Sequence, residues 1–141
     1  METDKFKERK RLEAEVEKLD RDVDAAIVEG LSDKIALRRL GFKSKIFLSA
    51  ERTVEDLVED VSRGADRAVI LTDFDEPGKQ QHREISQALN QEIDVLHDSR
   101  KEFGALLTSS GRRTIEAVHP LLEDRDRKFV EAQLSALHLD F

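Results

Sequence analysis

Short and mostly apolar runs, each about four residues long, recur along the chain between segments with helical periodicity. They occupy residues 25–28, 45–48, 68–71 and 93–96. An apolar run this short, without alternation, is typical of a strand buried on both faces, as strands of parallel sheets are. Parallel strands need crossover connections, which helices between the strands supply. The sequence therefore predicts an α/β fold: a parallel four-stranded sheet flanked by helices.

Start and stop signals place helices between these runs. Ser32 is a candidate N-cap for a helix that ends near Gly41. Thr53, with Asp56 three residues later, resembles a capping box that opens a helix ending near Gly64. Pro77 and Gly78 mark a loop after the third run, and a polar helix is predicted over 79–90.

The first 24 residues predict an amphipathic helix. Its apolar stripe recurs at helical spacing: Leu12, Val16, Leu19 and Val23. The stripe suits docking on the following domain, which we place at residues 25–98. The alternatives are a solvated charged helix or a short coiled-coil arm that joins two copies into a homodimer.

A helical pattern also follows His97, and it predicts a C-terminal extension over 99–141 packed on the same domain. Its apolar positions are Phe103, Leu106, Leu107, Ile115, Val118, Phe129, Val130, Leu134 and Leu137. Pro120 separates the last two pieces.

Composition excludes several classes of protein. There is no cysteine, which removes disulfides and thiolate zinc sites. No apolar run approaches the ~20 residues of a membrane helix, and the first twenty residues are charged, so we expect a cytoplasmic protein without a membrane partner.

His82, His97, His119 and His138 lack metal-ligand spacing and are predicted to be ordinary surface or helix residues. The net charge of −7 means that any contact with nucleic acid must be local.

Three carboxylates follow the predicted strands. Glu29 ends the first run, and Asp73 and Asp75 come directly after the third. The carboxyl ends of parallel strands gather at one edge, so these side chains are expected to meet there. Clustered carboxylates repel one another unless a cation neutralises them, and hard oxygen ligands suit Mg²⁺, or Mn²⁺ in its place. The alternative is that Glu29 caps a turn while both aspartates solvate a loop.

Glycines and cations near these acids are candidates for phosphate contact. Gly30 and Gly78 permit close approach of the backbone. Arg112 and Arg113 precede a predicted helix and could grip a phosphate; a solvated helix start is the alternative. Lysine and arginine side chains on nearby helix faces are weaker candidates: Lys79, Arg83, Arg100 and Lys101.

Two segments resemble the signature motifs of the Toprim (topoisomerase–primase) family. They are Val28-Glu29-Gly30-Leu31-Ser32-Asp33 and Val69-Ile70-Leu71-Thr72-Asp73-Phe74-Asp75-Glu76-Pro77-Gly78. The resemblance covers residues 25–98. It implies that Glu29 is a general acid or base, or a metal ligand, and that Asp73 and Asp75 coordinate Mg²⁺. Asp33 matches a further acid of the family, although a first-turn helix acid explains it equally well.

Residue types that the chain lacks exclude several branches of that family. The chain has no tyrosine to break DNA as topoisomerases do, no cysteine for the zinc of primases, and no GxxxxGK[ST] segment. A small stand-alone Toprim protein remains, similar to the Toprim segment of ribonucleases that mature ribosomal RNA. The resemblance implies Mg²⁺-dependent phosphodiester cleavage, with RNA preferred to DNA as substrate and cleavage preferred to primase-like nucleotidyl transfer.

Two other functions fit the same residues. A non-catalytic module, or accessory subunit, would bind metal and nucleic acid without cleaving it. Aromatic content is only 5%, all of it phenylalanine, which argues against extensive base stacking. A phosphatase would use Asp73 as a covalent nucleophile, but the DxD of such enzymes usually follows the first strand, and here it follows the third.

Overall fold

The computed structural model describes residues 2–122, and these form a parallel α/β sandwich. The strands are β1 (Ala25–Val28), β2 (Lys45–Leu48), β3 (Arg67–Ile70) and β4 (Asp94–Val95). The helices are α1 (Glu2–Asp22), α2 (Leu31–Arg39), α3 (Val54–Gly64), α4 (Glu76–Leu89) and α5 (His97–Ser109), followed by a 3₁₀ turn at Glu116–Val118. The predicted parallel four-stranded α/β fold is confirmed.

All strand pairs are parallel, in the spatial order β2-β1-β3-β4. Successive residues of β1 and β3 point to opposite faces, and both faces are buried. Ala26, Val28 and Val69 pack against α1, α2 and α5, whereas Ile27 and Ile70 pack against α3 and α4. Burial on both faces explains why the strands read as continuous apolar runs rather than as alternating ones.

The apolar stripe of helix α1 packs against the core of the same chain. Its four stripe residues are at most 5% exposed: Leu12, Val16, Leu19 and Val23. Polar contacts fix the two ends of the helix: Asp20 Oδ1 accepts the backbone N–H groups of Lys43 and Ser44, and Arg9 Nη1 donates to the carbonyls of Leu121 and Leu122. The predicted docked helix is confirmed, and a homodimer through this helix would have to use another of its faces.

Helix starts differ from the predicted ones at two places. The N-cap of α2 is Gly30 rather than Ser32, because Asp33 accepts the Gly30 N–H (3.1 Å) and Ser32 contacts His119 instead. Helix α4 begins at Glu76 rather than at residue 79, since Pro77 is tolerated in a first turn, where its missing N–H would lack a helical partner anyway. The predicted cap at Thr53 is confirmed by its bond to the Asp56 N–H.

Strand and extension boundaries also shift slightly. β3 starts one residue before the predicted run, and β4 keeps only two of four predicted residues. The predicted extension begins as α5, and Ile115 and Val118 join the same core as α1. Four of its predicted apolar positions and one histidine lie outside the described residues: Phe129, Val130, Leu134, Leu137 and His138. Among the described helices, none is long and apolar enough to cross a membrane.

Gly104 on α5 packs against the loop that follows β3. A Cβ built on Gly104 would lie 2.6 Å from Phe74 Cε1. The Phe74 ring cannot retreat easily, because the Arg100 guanidinium lies 4.3 Å from its centroid and Phe103 packs 6.4 Å away.

We therefore expect Gly104→Ala to destabilise the protein by about 1–3 kcal/mol through overpacking, although alanine is the better helix former. Chemical denaturation measures this change. Phe74→Leu should relieve the clash, so the double variant should lose less stability than the two single losses added together. A stabilising Gly104→Ala, or strict additivity, would contradict this packing.

Candidate functional site

The three predicted carboxylates line one pocket at the carboxyl edge of the sheet. Ile27 pairs with Ile70, and the Leu71 N–H donates to the Ile27 carbonyl at 2.7 Å. The segments that follow β1 and β3 therefore leave the sheet side by side. The pocket has a volume of about 290 Å³. Its lining residues are Glu29, Asp73, Asp75, Pro77, Gly78 and Gln81.

Asp73 is the carboxylate that is most perturbed electrostatically. Burial raises its pKa to about 7, helped by a hydrogen bond with Glu29 and by the negative charges of Glu29, Asp33 and Asp75. Two carboxyl groups share a hydrogen bond only when one of them carries a proton. The Asp73 carboxyl therefore retains its proton to a higher pH than an ordinary aspartate, at the wall of an open, acid-lined pocket.

Asp75 has a structural task beside its position in the pocket. It is the N-cap of α4, and its Oδ1 accepts the Gly78 N–H at 2.8 Å. This bond satisfies one of the free amides of the first helical turn and fixes the carboxylate plane. A cap uses a single oxygen, so the second carboxylate oxygen remains a potential ligand.

Gly78 is required by a close approach of the backbone. An added Cβ would lie 2.0 Å from the Asp73 carbonyl oxygen, and the Gly78 carbonyl accepts a hydrogen bond from Thr72 Oγ1 at 3.1 Å. The first turn of α4 is thus pressed against the loop that carries Asp73. Gly30 differs, since the nearest atom to an added Cβ there is Asp33 Oδ2 at 4.0 Å, which leaves room for a side chain.

Both oxygens of Asp33 are occupied by backbone amides. Oδ2 accepts the Gly30 N–H at 3.1 Å and Oδ1 accepts the Glu116 N–H at 3.0 Å. Burial raises the pKa of Asp33, and these two bonds oppose the rise. Asp33 therefore caps α2 and anchors the 3₁₀ turn, a structural role that leaves no oxygen facing the pocket unpartnered.

The segment 111–119 joins the two acid-bearing loops, which sequence reasoning did not foresee. The Arg113 carbonyl accepts the Phe74 N–H at 2.6 Å, between the two aspartates of the DxD motif. Glu116 meets Asp33 as described, and His119 Nε2 lies 3.2 Å from Ser32 Oγ. Two of these three contacts use backbone atoms of the segment, and backbone atoms leave no residue-type signal in a sequence.

The two predicted arginines lie in different surroundings. Arg112 Nε lies 3.0 Å from Glu8 Oε1 without hydrogen-bond alignment, and the two half-buried side chains form an ion pair. Arg113 is exposed beside the DxD loop, with its carbonyl on Phe74. Lys79 is also exposed and lies 3.8 Å from Glu76, a weak pair across one helical turn. Arg113 and Lys79 are thus predicted cations that remain exposed on segments adjoining the loop that carries the two aspartates.

Arg100 is not the surface cation that the sequence suggested. It is 6% exposed, and its guanidinium donates to the carbonyls of Ile70, Thr72 and Asp73 behind the DxD loop. A charged residue on a predicted helix gives no sign of such burial. Gln81, which lines the pocket, was likewise not predicted.

Three of the four histidines lie within the described residues: His82, His97 and His119. His82 and His97 stack edge to face, 5.7 Å apart, and burial lowers the pKa of His82 to about 4, helped by nearby positive charges. Within residues 2–122, no group of three His, Asp or Glu side chains is placed so that it could hold a metal ion as it stands. The donor set of the pocket nevertheless fits Mg²⁺ or Mn²⁺: its carboxylate oxygens are hard ligands, and a cation would offset their mutual repulsion.

Comparisons with known proteins give a family but no activity. No family model matches the chain. A UPF0292 protein of Thermococcus sibiricus is 34% identical over 80 residues, which span 57% of this chain and 63% of that protein. A UPF0292 protein of Pyrococcus furiosus is 28% identical over 119 residues, 84% of this chain and 89% of that protein.

A solved structure of an Aquifex aeolicus protein has a similar fold. The TM-score is 0.63 at 21% identity, over 77% of this chain and 95% of that one. A likeness at this identity supports the fold alone.

A third UPF0292 protein, from Thermococcus onnurineus, is 32% identical over 95 residues, 67% of this chain and 71% of its own length. The chain therefore belongs to the UPF0292 family.

Proposed function

We propose that this chain is a Toprim-type, Mg²⁺-dependent protein that cleaves phosphodiester bonds in nucleic acid, in RNA rather than DNA. The observation that carries the proposal is the meeting of Glu29, Asp73 and Asp75 in one open pocket at the carboxyl edge of a parallel sheet. Ligands of such sheets bind at this edge. The order and spacing of the two acidic motifs supply the Toprim assignment.

Asp73 and Asp75 are the proposed ligands of Mg²⁺. When bound, the ion would neutralise the acid cluster and polarise a phosphate oxygen. Asp75 is held by its capping bond, and Asp73 by the Gly78 contact on its carbonyl. Ligands held in this way lose little conformational freedom on binding a cation, which favours affinity.

Glu29 is the proposed proton acceptor, or else a third ligand. A hydrogen bond with Glu29 contributes to the raised pKa of Asp73, and both carboxyl groups line the same pocket. As a base, Glu29 would take a proton from the water that attacks phosphorus. Half-burial at the pocket wall leaves this carboxylate accessible to that water.

Contacts to the substrate backbone are assigned to exposed cations at the rim. Arg113 lies beside the DxD loop and Lys79 lies on the first turn of α4, whereas acidic residues outnumber basic ones over the whole chain, 31 to 24. A local pair of cations can bind phosphates against an overall charge of −7, and the affinity would then fall steeply with salt. No aromatic side chain is among the residues that line the pocket, so the pocket offers no ring on which a base could stack. This favours recognition of structured RNA through its backbone.

The central test is cleavage of structured RNA with Mg²⁺ by the isosteric variants Glu29→Gln and Asp73→Asn. Each should lose roughly 10²–10⁴-fold in rate, because a base or a ligand charge is removed without a change of shape. Glu92→Gln, which neutralises an exposed acid, is the matched control and should keep the wild-type rate. Circular dichroism verifies that all three variants fold.

Full activity of both site variants would contradict the proposed roles of Glu29 and Asp73 in cleavage. Mg²⁺ binding without any cleavage by the wild-type protein would instead favour the non-catalytic module, in which the same acids hold a nucleic-acid end.

A second prediction concerns the pH dependence of stability without metal. The pKa of Asp73 is raised to about 7 in the fold, above its ordinary value of 3.8. The folded state therefore binds more protons than the unfolded state between these values, and the stability from Asp73 is present below pH 4 and lost as the pH rises through 7. Thermal melts should show Asp73→Asn gaining on the wild type between pH 5 and pH 8.

Mg²⁺ should raise the melting temperature of the wild type at pH 8 and leave that of Asp73→Asn nearly unchanged. Equal changes in the melting temperatures of the two proteins across the whole pH range would contradict the raised pKa of Asp73.

A further inference from the structure

Arg100 forms a buried cationic support behind the DxD loop. Its Nη1 lies 2.9 Å from the carbonyl oxygens of both Ile70 and Thr72, and its Nη2 lies 3.2 Å from that of Asp73. The guanidinium also covers the ring of Phe74, 4.3 Å from its centroid. One side chain from α5 thus holds the end of β3 and the first residues of the loop.

This arrangement is costly for a purely structural contact. Arg100 is 6% exposed, and burial lowers its pKa to about 10 while the negative charge of Asp73 opposes the shift. The donors in place go to main-chain carbonyls rather than to a carboxylate. A buried charge without a close ion pair is expensive, and an apolar side chain would fill the same space at lower cost.

The main chain of Asp73 is fixed from two sides. Arg100 binds its carbonyl oxygen from α5, and the glycine backbone of residue 78 is packed against the same carbonyl from α4. The direction of a side chain follows from the backbone that carries it. Holding this peptide therefore sets the direction in which the Asp73 carboxylate enters the pocket.

We propose that Arg100 is a positioning residue that holds Asp73 in its metal-binding orientation. The proposal rests on the proposed function, in which the pocket binds Mg²⁺. The planar fork of the guanidinium suits the task, since it reaches several carbonyls at once, which the single ammonium of lysine does not.

Charge and positioning make opposite predictions for metal binding. A cation behind the pocket repels Mg²⁺, so its removal would tighten binding if charge alone mattered. If Arg100 positions Asp73, its removal weakens binding. A residue that only stabilises the fold would change the melting temperature and leave the affinity of the folded protein unaltered.

The experiment is a calorimetric titration of Mn²⁺ into the full chain, well below the melting temperature. Arg100→Met removes the charge and the fork, and Arg100→Lys keeps the charge but loses the fork. Lys101→Met is the matched control, because it removes one positive charge at the neighbouring, exposed position of the same helix. Thermal melts of all four proteins report the stability separately.

We expect both Arg100 variants to bind Mn²⁺ roughly 10–100-fold more weakly, as is usual when a partner of a metal ligand is lost, and Lys101→Met to stay within about twofold of the wild type. Wild-type affinity in either Arg100 variant, or tighter binding by Arg100→Met, would overturn the positioning role. If Arg100→Met fails to fold, Arg100→Lys decides, and failure of both would assign the residue to stability. Absence of Mn²⁺ binding by the wild type would instead refute the proposed function itself.

Discussion

The parallel pairing of β1 with β3 is the interaction on which the rest of the structure depends. These two central strands are hydrogen bonded in register, Ala25 with Ala68 through Ile27 with Ile70. Because the pairing is parallel, both strands end at the same edge of the sheet, so residues 44 positions apart in the sequence become neighbours. An antiparallel pair would have placed Glu29 and Asp73 at opposite ends of the sheet.

The acids that meet at this edge are held by hydrogen bonds that offset their mutual repulsion. Asp75 caps α4 and Asp33 accepts two backbone amides, whereas burial beside Glu29 raises the pKa of Asp73 and favours its protonated form. A cation could replace the proton of Asp73 without breaking either of the capping arrangements. The segment 111–119 and Arg100 then tie the acid-bearing loops to the helical face of the sandwich. A large part of the chain outside the sheet thus serves to fix one small pocket.

Sequence reasoning predicted those features that depend on local patterns. The limits of β1 and β2 were predicted to the residue, because polar residues bound each run: Asp24 and Glu29 around β1, and Ser44 and Ser49 around β2. The convergence of the three acids followed from strand order alone. Helix starts were less certain: at Gly30 the capping oxygen comes from Asp33, inside the helix, and at Pro77 a residue typical of loops occupies a first turn.

Features that depend on tertiary contacts could not be predicted. The sequence treats Arg112 and Arg113 as equivalent, yet one pairs with Glu8, more than a hundred residues away, and the other is exposed beside the site. Arg100 was grouped with surface cations because charge on a helix normally faces water. The close contact of Gly78 with Asp73 depends on how α4 leans on the loop, which no spacing encodes.

The central claim is that Glu29, Asp73 and Asp75 form a divalent-cation site. A crystal structure of the protein soaked with Mn²⁺, with anomalous scattering used to locate the ion, tests it most directly. We predict one anomalous peak in the pocket, with carboxylate oxygens of Asp73 and Asp75 at about 2.0–2.2 Å and water completing an octahedral shell. An empty pocket at saturating Mn²⁺, with Asp73 still hydrogen bonded to Glu29, would contradict it.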